Sequence, residues 1–223
     1  MRKSVTASAK TPAHQNVYTA IRELILFGDV VPGEALTIQG LQARLGAGMT
    51  PVREALRRLT SEGAVEMLGN RRMCVPVLTT ARVEELFFIR KMLEPELARR
   101  AAQNISGEGI NALKAIDARL NEAIEHGDVK GYMRHNYLFH NALYSHSNAP
   151  MMLDTVDRLW LRFGPSQREI CGRWGTANLP DRHAELLEAL RARDAFGAAR
   201  SIGDDILQGM TLYLSGSEQV DAE

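Results

Sequence analysis

Five polar side chains lie on apolar stripes of predicted helices: Arg90, Asn136, His140, His183 and Asp205. Inside a protein such groups are costly unless they are paired, hydrogen-bonded or bound to a metal. Histidine and aspartate are ligands of divalent transition metals, and arginine binds carboxylates. Because the five residues belong to four predicted helices, we expect them to meet in one polar cavity inside a helical bundle.

Each of these residues also has a simpler interpretation. His140 alone is more often a hydrogen-bonded core histidine than a ligand, and Arg90 can pair with Glu94 one helical turn later. Asp205 could face water, and Asn136 could cap or bridge helices. Only the combination of the five favours a binding site for a metal or a ligand.

A second constellation is the basic helix TPVREALRRL at residues 50–59. Thr50 suits the N-cap and Pro51 the first helical position. Arg53 lies in the first turn, where the helix dipole disfavours a cation, and Arg57 repels it from four residues away. Phosphates or guanine edges would explain a face that tolerates both penalties. The alternative is a basic face exposed only to water.

The charges are unevenly distributed, although the 223-residue chain has 27 basic and 27 acidic residues. Residues 1–80 contain ten Lys and Arg against six Asp and Glu, and the remainder contains seventeen against twenty-one. This asymmetry suits a DNA-binding domain joined to a module that does not bind DNA. Cys74 and Cys171 lack metal-type spacing and argue against a disulfide framework. Without a signal peptide or a membrane-spanning run, a soluble cytoplasmic protein is expected.

Apolar periodicity predicts a mostly α fold. The first part contains a helix from about Val17 to Gly28, a helix over Thr37–Leu45, a helix over residues 50–63, and two strands, Val65–Leu68 and Met73–Val77, that flank a β-wing. The later predicted helices are 81–103, 107–126, 129–146, 150–171, 178–194 and 195–214. We therefore expect an N-terminal winged helix-turn-helix with a small β-wing and a C-terminal all-α helical bundle.

About residues 15–78 resemble the N-terminal domain of the GntR family of bacterial regulators. The resemblance rests on the run TPVREALRRL followed by Glu-Gly, and on the preceding segments IRELILFGDVVPGEAL and LQARLG. This resemblance implies that the third helix enters the major groove and that the wing reaches the adjacent minor groove. The positions that match the family's DNA contacts are Thr50, Arg53 and Arg57 in the helix and Asn70, Arg71 and Arg72 at the wing tip.

The chain departs from this family pattern at three places. Gly48 and Met49 stand where Ser-Arg is usual, Ile38 and Gln39 replace a Glu-Arg pair, and Arg72 replaces a wing glycine. Two common base or phosphate contacts are therefore absent, and the wing is more basic. We expect DNA binding to survive these changes and the operator sequence to differ from the family consensus.

Residues 83–210 are similar to the FCD-type ligand-binding domain of the FadR subfamily, through IRKMLEPELARRAA, NYLFHNALYSHSNAPM and DRHAELLEALRARDAFGAA. Many such domains bind a divalent metal through one Asp and three His, facing a pocket for a small carboxylate. His140 and His183 match two of those histidines. Asn136 stands at the Asp position and Asp205 at the last His position, while Arg90 matches an arginine that faces the effector cavity.

The resulting set of Asn, His, His and Asp keeps one carboxylate but loses one nitrogen ligand. Such a site could hold Zn²⁺, Ni²⁺ or Mn²⁺, less tightly than the usual set. Alternatively, the same groups could hydrogen-bond an effector directly.

These resemblances predict a homodimeric regulator, not an enzyme, that binds a short inverted repeat of double-stranded DNA under the control of a small organic acid. The expected domains are a flexible basic arm (1–12), the winged helix-turn-helix (13–79), the all-helical effector-binding and dimerisation domain (80–216) and a tail (217–223). The alternatives are an all-α metalloenzyme with an appended nucleic-acid-binding module and an architectural DNA protein with a vestigial sensor. A metalloenzyme is disfavoured because neither HExxH nor a separate general base accompanies the proposed ligands.

Overall fold

The computed structural model describes residues 13–69, 72–174 and 181–220. Its elements are α1 Ala13–Leu26, α2 Ile38–Leu45, α3 Met49–Ser61, β1 Glu66–Met67, β2 Met73–Cys74, α4 Thr80–Asn104, α5 Gly107–Glu125, α6 Val129–Ser145, α7 Pro150–Trp174, α8 Arg182–Arg191 and α9 Ala195–Val220. The predicted mostly α fold with a small β-wing is confirmed. The predicted flexible arm lies outside the described residues, and so do Asn70 and Arg71.

Local signals fix the ends of α2. The Thr37 hydroxyl accepts a hydrogen bond from the backbone N–H of Gly40 and caps the first turn. Gly46 ends the helix in the left-handed conformation, at φ 61°, which a glycine adopts without strain. The short link to α3 follows from this reversal.

The helix α3 begins earlier than the sequence pattern predicts. Gly48 is the capping residue and Met49 is the first helical residue, so the prediction that Thr50 is the N-cap is wrong. The physical reason is that the extended Gly48 already places its carbonyl to accept from the N–H of Val52, at 3.4 Å. Pro51 is tolerated at the third position because the N–H groups of the first turn lack helical partners.

The wing is a two-stranded antiparallel sheet in which Glu66 faces Cys74 and Met67 faces Met73. Both strands are shorter than predicted, and Pro76 cannot donate to a longer ladder. The segment 34–36 extends along the other edge of β2, where the N–H of Leu36 donates to the carbonyl of Met73 at 2.8 Å.

The six later helices lie close to the predicted ranges, but α8 starts later and ends earlier than predicted, and α9 continues past the predicted end to Val220. The predicted helix 178–194 includes residues outside the described part of the chain, and the described α8 begins only after Asp181. The Asp181 carboxylate accepts from the backbone N–H of Ala184, which caps this start. In the bundle, α4 packs chiefly on α9, and α6 packs between α5 and α7.

The winged helix-turn-helix packs directly on the bundle through α1 and α7. Gly164 of α7 lies so close to the carbonyl oxygen of Leu26 that a Cβ at this position would collide with it. Arg22 of α1 also forms an ion pair with Asp157 of α7, at 2.6 Å. The Asp157 carboxylate accepts from the Tyr137 hydroxyl of α6 as well, at 2.6 Å. This junction joins the first helix to two helices of the bundle.

Candidate functional site

Three of the predicted site residues meet inside the bundle: His140 of α6, His183 of α8 and Asp205 of α9. We call them the His–His–Asp cluster. The Nε2 atom of His140 lies 3.3 Å from Nε2 of His183 and 3.3 Å from Oδ2 of Asp205. One possible ligand atom from each residue lies within 4.8 Å of the other two. Both histidines are buried, and Asp205 is partly exposed.

The outer nitrogen of each ring is held by a second residue. Nδ1 of His183 lies 2.9 Å from the Asp117 carboxylate, and because an ionised carboxylate only accepts, this nitrogen carries the proton. Nδ1 of His140 lies 3.0 Å from the Tyr144 hydroxyl, whose own proton is donated to Glu94 at 2.7 Å. The Tyr144 oxygen therefore accepts from His140, whose Nδ1 also carries the proton.

In neutral rings, this tautomer leaves lone pairs on the two Nε2 atoms, which lie next to each other, with Asp205 beside that of His140. Burial lowers the pKa of His140 below the ordinary histidine value, which favours a neutral ring. Burial raises the pKa of Asp205, but the contact with His140 and the positive charge of Arg90 offset this and leave it below its usual value. When both rings are neutral, the two Nε2 atoms and the Asp205 carboxylate are three hydrogen-bond acceptors that lie close together with no donor among them.

A divalent cation fits this donor set. Two ligand atoms that each lie about 2.1 Å from a tetrahedral ion are about 3.4 Å apart, which matches the two 3.3 Å separations from Nε2 of His140. The third pair, His183 and Asp205, lies within 4.8 Å. The hydrogen bonds from Nδ1 of His183 to Asp117 and from Nδ1 of His140 to Tyr144 are typical of metal-binding histidines, since they orient the ring and fix the tautomer. The cluster could therefore hold a metal through two nitrogens and one carboxylate.

Asn136 is buried on α6, one helical turn before His140. Residues four apart lie on the same face of a helix, so its amide is on the side that carries His140. Within the described residues we find no hydrogen bond to this amide. Its place in the ligand set remains a prediction.

Arg90 is buried beside the cluster, and its guanidinium already has a carboxylate partner. Its Nε and Nη2 atoms donate to the two oxygens of Glu94, which is fully buried. The guanidinium also lies 4.4 Å from the centre of the Trp160 ring, a cation–π distance. Glu94 additionally accepts from the Tyr144 hydroxyl and from the indole N–H of Trp160, the latter at 3.3 Å. The simpler interpretation of Arg90, pairing with Glu94, is thus realised in the structure.

Sequence reasoning missed three residues that support the cluster: Asp117, Tyr144 and Trp160. Asp117 occupies the buried stripe of α5 between Leu113 and Leu120, so the criterion that selected the other polar residues could have found it. Tyr144 and Trp160 gave no such signal, because an aromatic residue on an apolar stripe is unremarkable.

The described residues that are predicted to contact DNA lie on the exposed face of α3 and in the wing. Thr50, Arg53 and Arg57 are exposed on one side of the helix, opposite its buried apolar stripe. Arg58 behaves differently, because its guanidinium stacks 3.7 Å from the centre of the Tyr18 ring and donates to Glu62. The described wing residue Arg72 is exposed. The exposed helix face therefore retains two arginines for a partner.

Comparisons with known proteins identify the same two parts of the chain. Residues 85–207 match the family model "FCD domain", and residues 13–75 match "Bacterial regulatory proteins, gntR family". The HTH-type transcriptional regulator McbR of Escherichia coli (strain K12) is 30% identical over 196 residues, which cover 86% of this chain and 88% of McbR. The HTH-type transcriptional repressor RspR of the same strain is 25% identical over 207 residues, which cover 91% of this chain and 86% of RspR.

Solved structures show the same architecture. The structure of E. coli McbR/YncC superposes with a TM-score of 0.87 at 27% identity, covering 93% of this chain and 99% of that one. A GntR-type regulator from Rhodococcus sp. RHA1 superposes with a TM-score of 0.75 at 22% identity, covering 92% and 99%, and so shares the fold. Within the described residues no helix has the length and apolarity needed to cross a membrane. The chain therefore belongs to the GntR family of bacterial regulatory proteins and is a DNA-binding transcription regulator whose FCD domain is a ligand-binding effector domain.

Proposed function

We propose that this regulator binds an inverted-repeat operator as a homodimer and that a small organic acid controls the affinity for this operator. The acid would bind in the all-helical domain beside a divalent metal. The observation that carries the proposal is the convergence of the Nε2 atoms of His140 and His183 and the Asp205 carboxylate. Three acceptors in this arrangement favour a bound cation.

The proposed metal ligands are Asn136, His140, His183 and Asp205, and the proposed ions are Zn²⁺, Ni²⁺ or Mn²⁺. Asn136 would supply its amide oxygen from the same helix face as His140. When bound, the metal would supply positive charge that favours a carboxylate ligand. Asp117 holds the ring of His183 in the tautomer that such a site requires.

The local charge balance supports a cation. Three carboxylates, Glu94, Asp117 and Asp205, lie around the two histidines. Arg90 pairs with Glu94, and the charge of Arg182 also interacts with Asp205. Buried charges are stable only when they are compensated. A bound cation would compensate negative charge that remains on these carboxylates.

Arg90 is proposed to bind the effector's carboxylate. Glu94 occupies the Nε and Nη2 side of the guanidinium, and within the described residues no hydrogen bond reaches Nη1. An acid would therefore bind at Nη1 or compete with Glu94 for the other side. A bidentate carboxylate–guanidinium pair can also form at the outer fork, where Nη1 and the second N–H of Nη2 point the same way.

On the DNA side, we propose that Thr50, Arg53 and Arg57 enter the major groove and that the wing tip, Asn70 to Arg72, reaches the minor groove. The carrying observation is the exposed cationic face of α3, the second helix of the helix-turn-helix. Replacing Arg53 or Arg57 by Ala should weaken operator binding by about 1–3 kcal/mol if the residue contacts a base. Unchanged binding by the double variant would remove α3 from the interface.

The proposed dimer interface includes the exposed face of α4. Phe88 is 67% exposed and Met92 is 62% exposed, and the neighbouring Ile89 is also exposed. A cluster of large apolar side chains on one helix face is typical of a protein interface. A two-fold dimer would present two α3 helices to two operator half-sites, which is why we pair this face with a second copy of the chain.

We propose no catalytic residues, and we place the regulator in the cytoplasm with the operator DNA. The test is fluorescence anisotropy with the full chain and an operator selected from random duplexes, measured with a panel of small mono- and dicarboxylic acids in the presence of Zn²⁺, Ni²⁺ or Mn²⁺. At least one acid should change the operator Kd by roughly 5–150-fold, a usual range of allosteric coupling.

Matched variants locate this response. His140→Ala and His183→Ala should still bind the operator but lose the response to acid. His126→Ala, which changes an exposed histidine at the end of α5, should respond like the parent protein. An undiminished acid response in both cluster variants would contradict the proposed effector site.

A further inference from the structure

The exposed face of α3 contains an apolar side chain among its cationic ones. Met49 is the first residue of the helix and is 52% exposed. It lies one turn before Arg53, and Arg57 follows one turn later on the same face. An exposed methionine that points away from the core, at the start of the helix proposed to enter the groove, has no packing role in the free protein.

Met49 contacts the arginine beside it. The Nη2 atom of Arg53 lies 3.5 Å from the Met49 sulfur, which is a weak acceptor. This contact holds the guanidinium next to the thioether, so the two side chains present a cationic tip and an apolar tip side by side.

Each tip suits a different base. The N-terminal residues of the second helix of a helix-turn-helix contact base edges in the major groove. A guanidinium pairs with the O6 and N7 acceptors of guanine, whereas an apolar group recognises the 5-methyl group of thymine. A thioether has no strong donor for a phosphate or for guanine. The methyl group of thymine is therefore the major-groove feature that best fits Met49.

We propose that Met49 is a specificity-determining residue, whose thioether packs on the 5-methyl group of a thymine in the base pair adjacent to the guanine that Arg53 contacts. This inference rests on the proposed entry of α3 into the major groove. It predicts one thymine in each operator half-site whose methyl group is required for full affinity.

The test replaces thymine by uracil, which removes only the methyl group. The full chain is used to select an operator from random duplexes, and each thymine is then replaced in turn, in both half-sites, before the Kd is measured by anisotropy. One symmetric thymine pair should be sensitive, with affinity falling about fourfold per half-site, the contribution of one buried methyl group. Replacing both members of the pair should weaken binding by about 15-fold if the half-sites act independently.

Variants assign that sensitivity to the side chain. Met49→Ala should bind the thymine and uracil operators equally, whereas Met49→Leu, which remains apolar, should keep most of the preference. Met151→Ala is the matched control, because Met151 is 85% exposed at the start of α7, outside the helix-turn-helix. This control should discriminate between the two operators like the parent protein.

Two results would overturn the inference. One is an operator in which no thymine is sensitive to uracil, and the other is a uracil effect that persists undiminished in Met49→Ala. Arg53→Ala with Arg57→Ala separates this failure from failure of the proposed DNA interface. If that double variant loses affinity while uracil has no effect, only the methyl contact is refuted; if it binds unchanged, both proposals fail.

Discussion

Removing the buried carboxylate of Glu94 should destabilise the helical domain more than any exposed charge substitution on α4. Glu94 is fully buried and accepts hydrogen bonds from Arg90, Tyr144 and Trp160. Replacing it by Ala leaves the Arg90 guanidinium, which is 4% exposed, without its anionic partner. Breaking one side of a buried ion pair costs about 3–5 kcal/mol because the remaining charge is uncompensated.

Glu96 offers a matched control two residues away. It forms ion pairs with Arg99 and Arg100, but its side chain is 32% exposed. Such exposed pairs contribute about 0–1 kcal/mol, so Glu96→Ala should cost little. A double change of Arg90 to Met and Glu94 to Leu should be milder than Glu94→Ala, because it removes both charges and leaves no unpaired ion.

The assay is urea unfolding followed by tryptophan fluorescence, since both tryptophans of the chain, Trp160 and Trp174, lie in α7. The Glu94→Ala transition should shift to lower urea by the amount that corresponds to about 3–5 kcal/mol. A shift no larger than that of Glu96→Ala would refute the reasoning, because the burial and hydrogen bonding of Glu94 would then have no energetic consequence.

Three other perturbations give separate tests. Gly164→Ala should destabilise the junction between α1 and α7 by about 1–3 kcal/mol in thermal unfolding. Gly209→Ala is the control, because no atom lies near the added Cβ, and equal effects of the two substitutions would contradict the close approach of Gly164 to Leu26. Phe88→Glu should convert the dimer to a monomer in light scattering, whereas Phe196→Glu, at an exposed site on α9, should leave it dimeric. A Phe88→Glu protein that remains dimeric would exclude the α4 face as the dimer interface. Burial and a neighbouring carboxylate raise the pKa of Tyr18 to about 12, so its stabilising contribution is complete below about pH 10 and is lost toward pH 12. Between pH 9 and pH 11, the free energy of unfolding of the parent protein should therefore fall by about 1 kcal/mol more than that of Tyr18→Phe. Equal decreases in the two proteins would contradict the raised pKa.

The sequence supports the architecture well because its signals are local. Apolar spacing predicts the helices of the bundle, and the wing turn is visible between two short apolar runs. The start of α3 is misplaced because Thr50-Pro51 is a strong local signal for a helix start, whereas Gly48 makes the cap through its backbone alone. A cap made by the backbone requires no particular side chain, so the sequence does not indicate its position.

The candidate site is predictable only where a polar residue interrupts an apolar stripe. That rule selects His140, His183 and Asp205, which the structure brings together. It could also have selected Asp117, but it cannot show that Asp117 holds His183, because the sequence does not specify which helices are neighbours. The same limit hides the contact of Trp160 with Arg90, since α7 and α4 are far apart in the chain.

The central claim, that Asn136, His140, His183 and Asp205 bind one divalent metal, is tested most directly by metal analysis of the full chain. The protein is purified without a chelator or an affinity tag, supplied with Zn²⁺, Ni²⁺ and Mn²⁺, and desalted before elemental analysis. We expect about one ion per chain, a large loss of metal in His140→Ala and His183→Ala, and no loss in His126→Ala. Absence of all three metals from the parent protein, or full retention in both cluster variants, would contradict it.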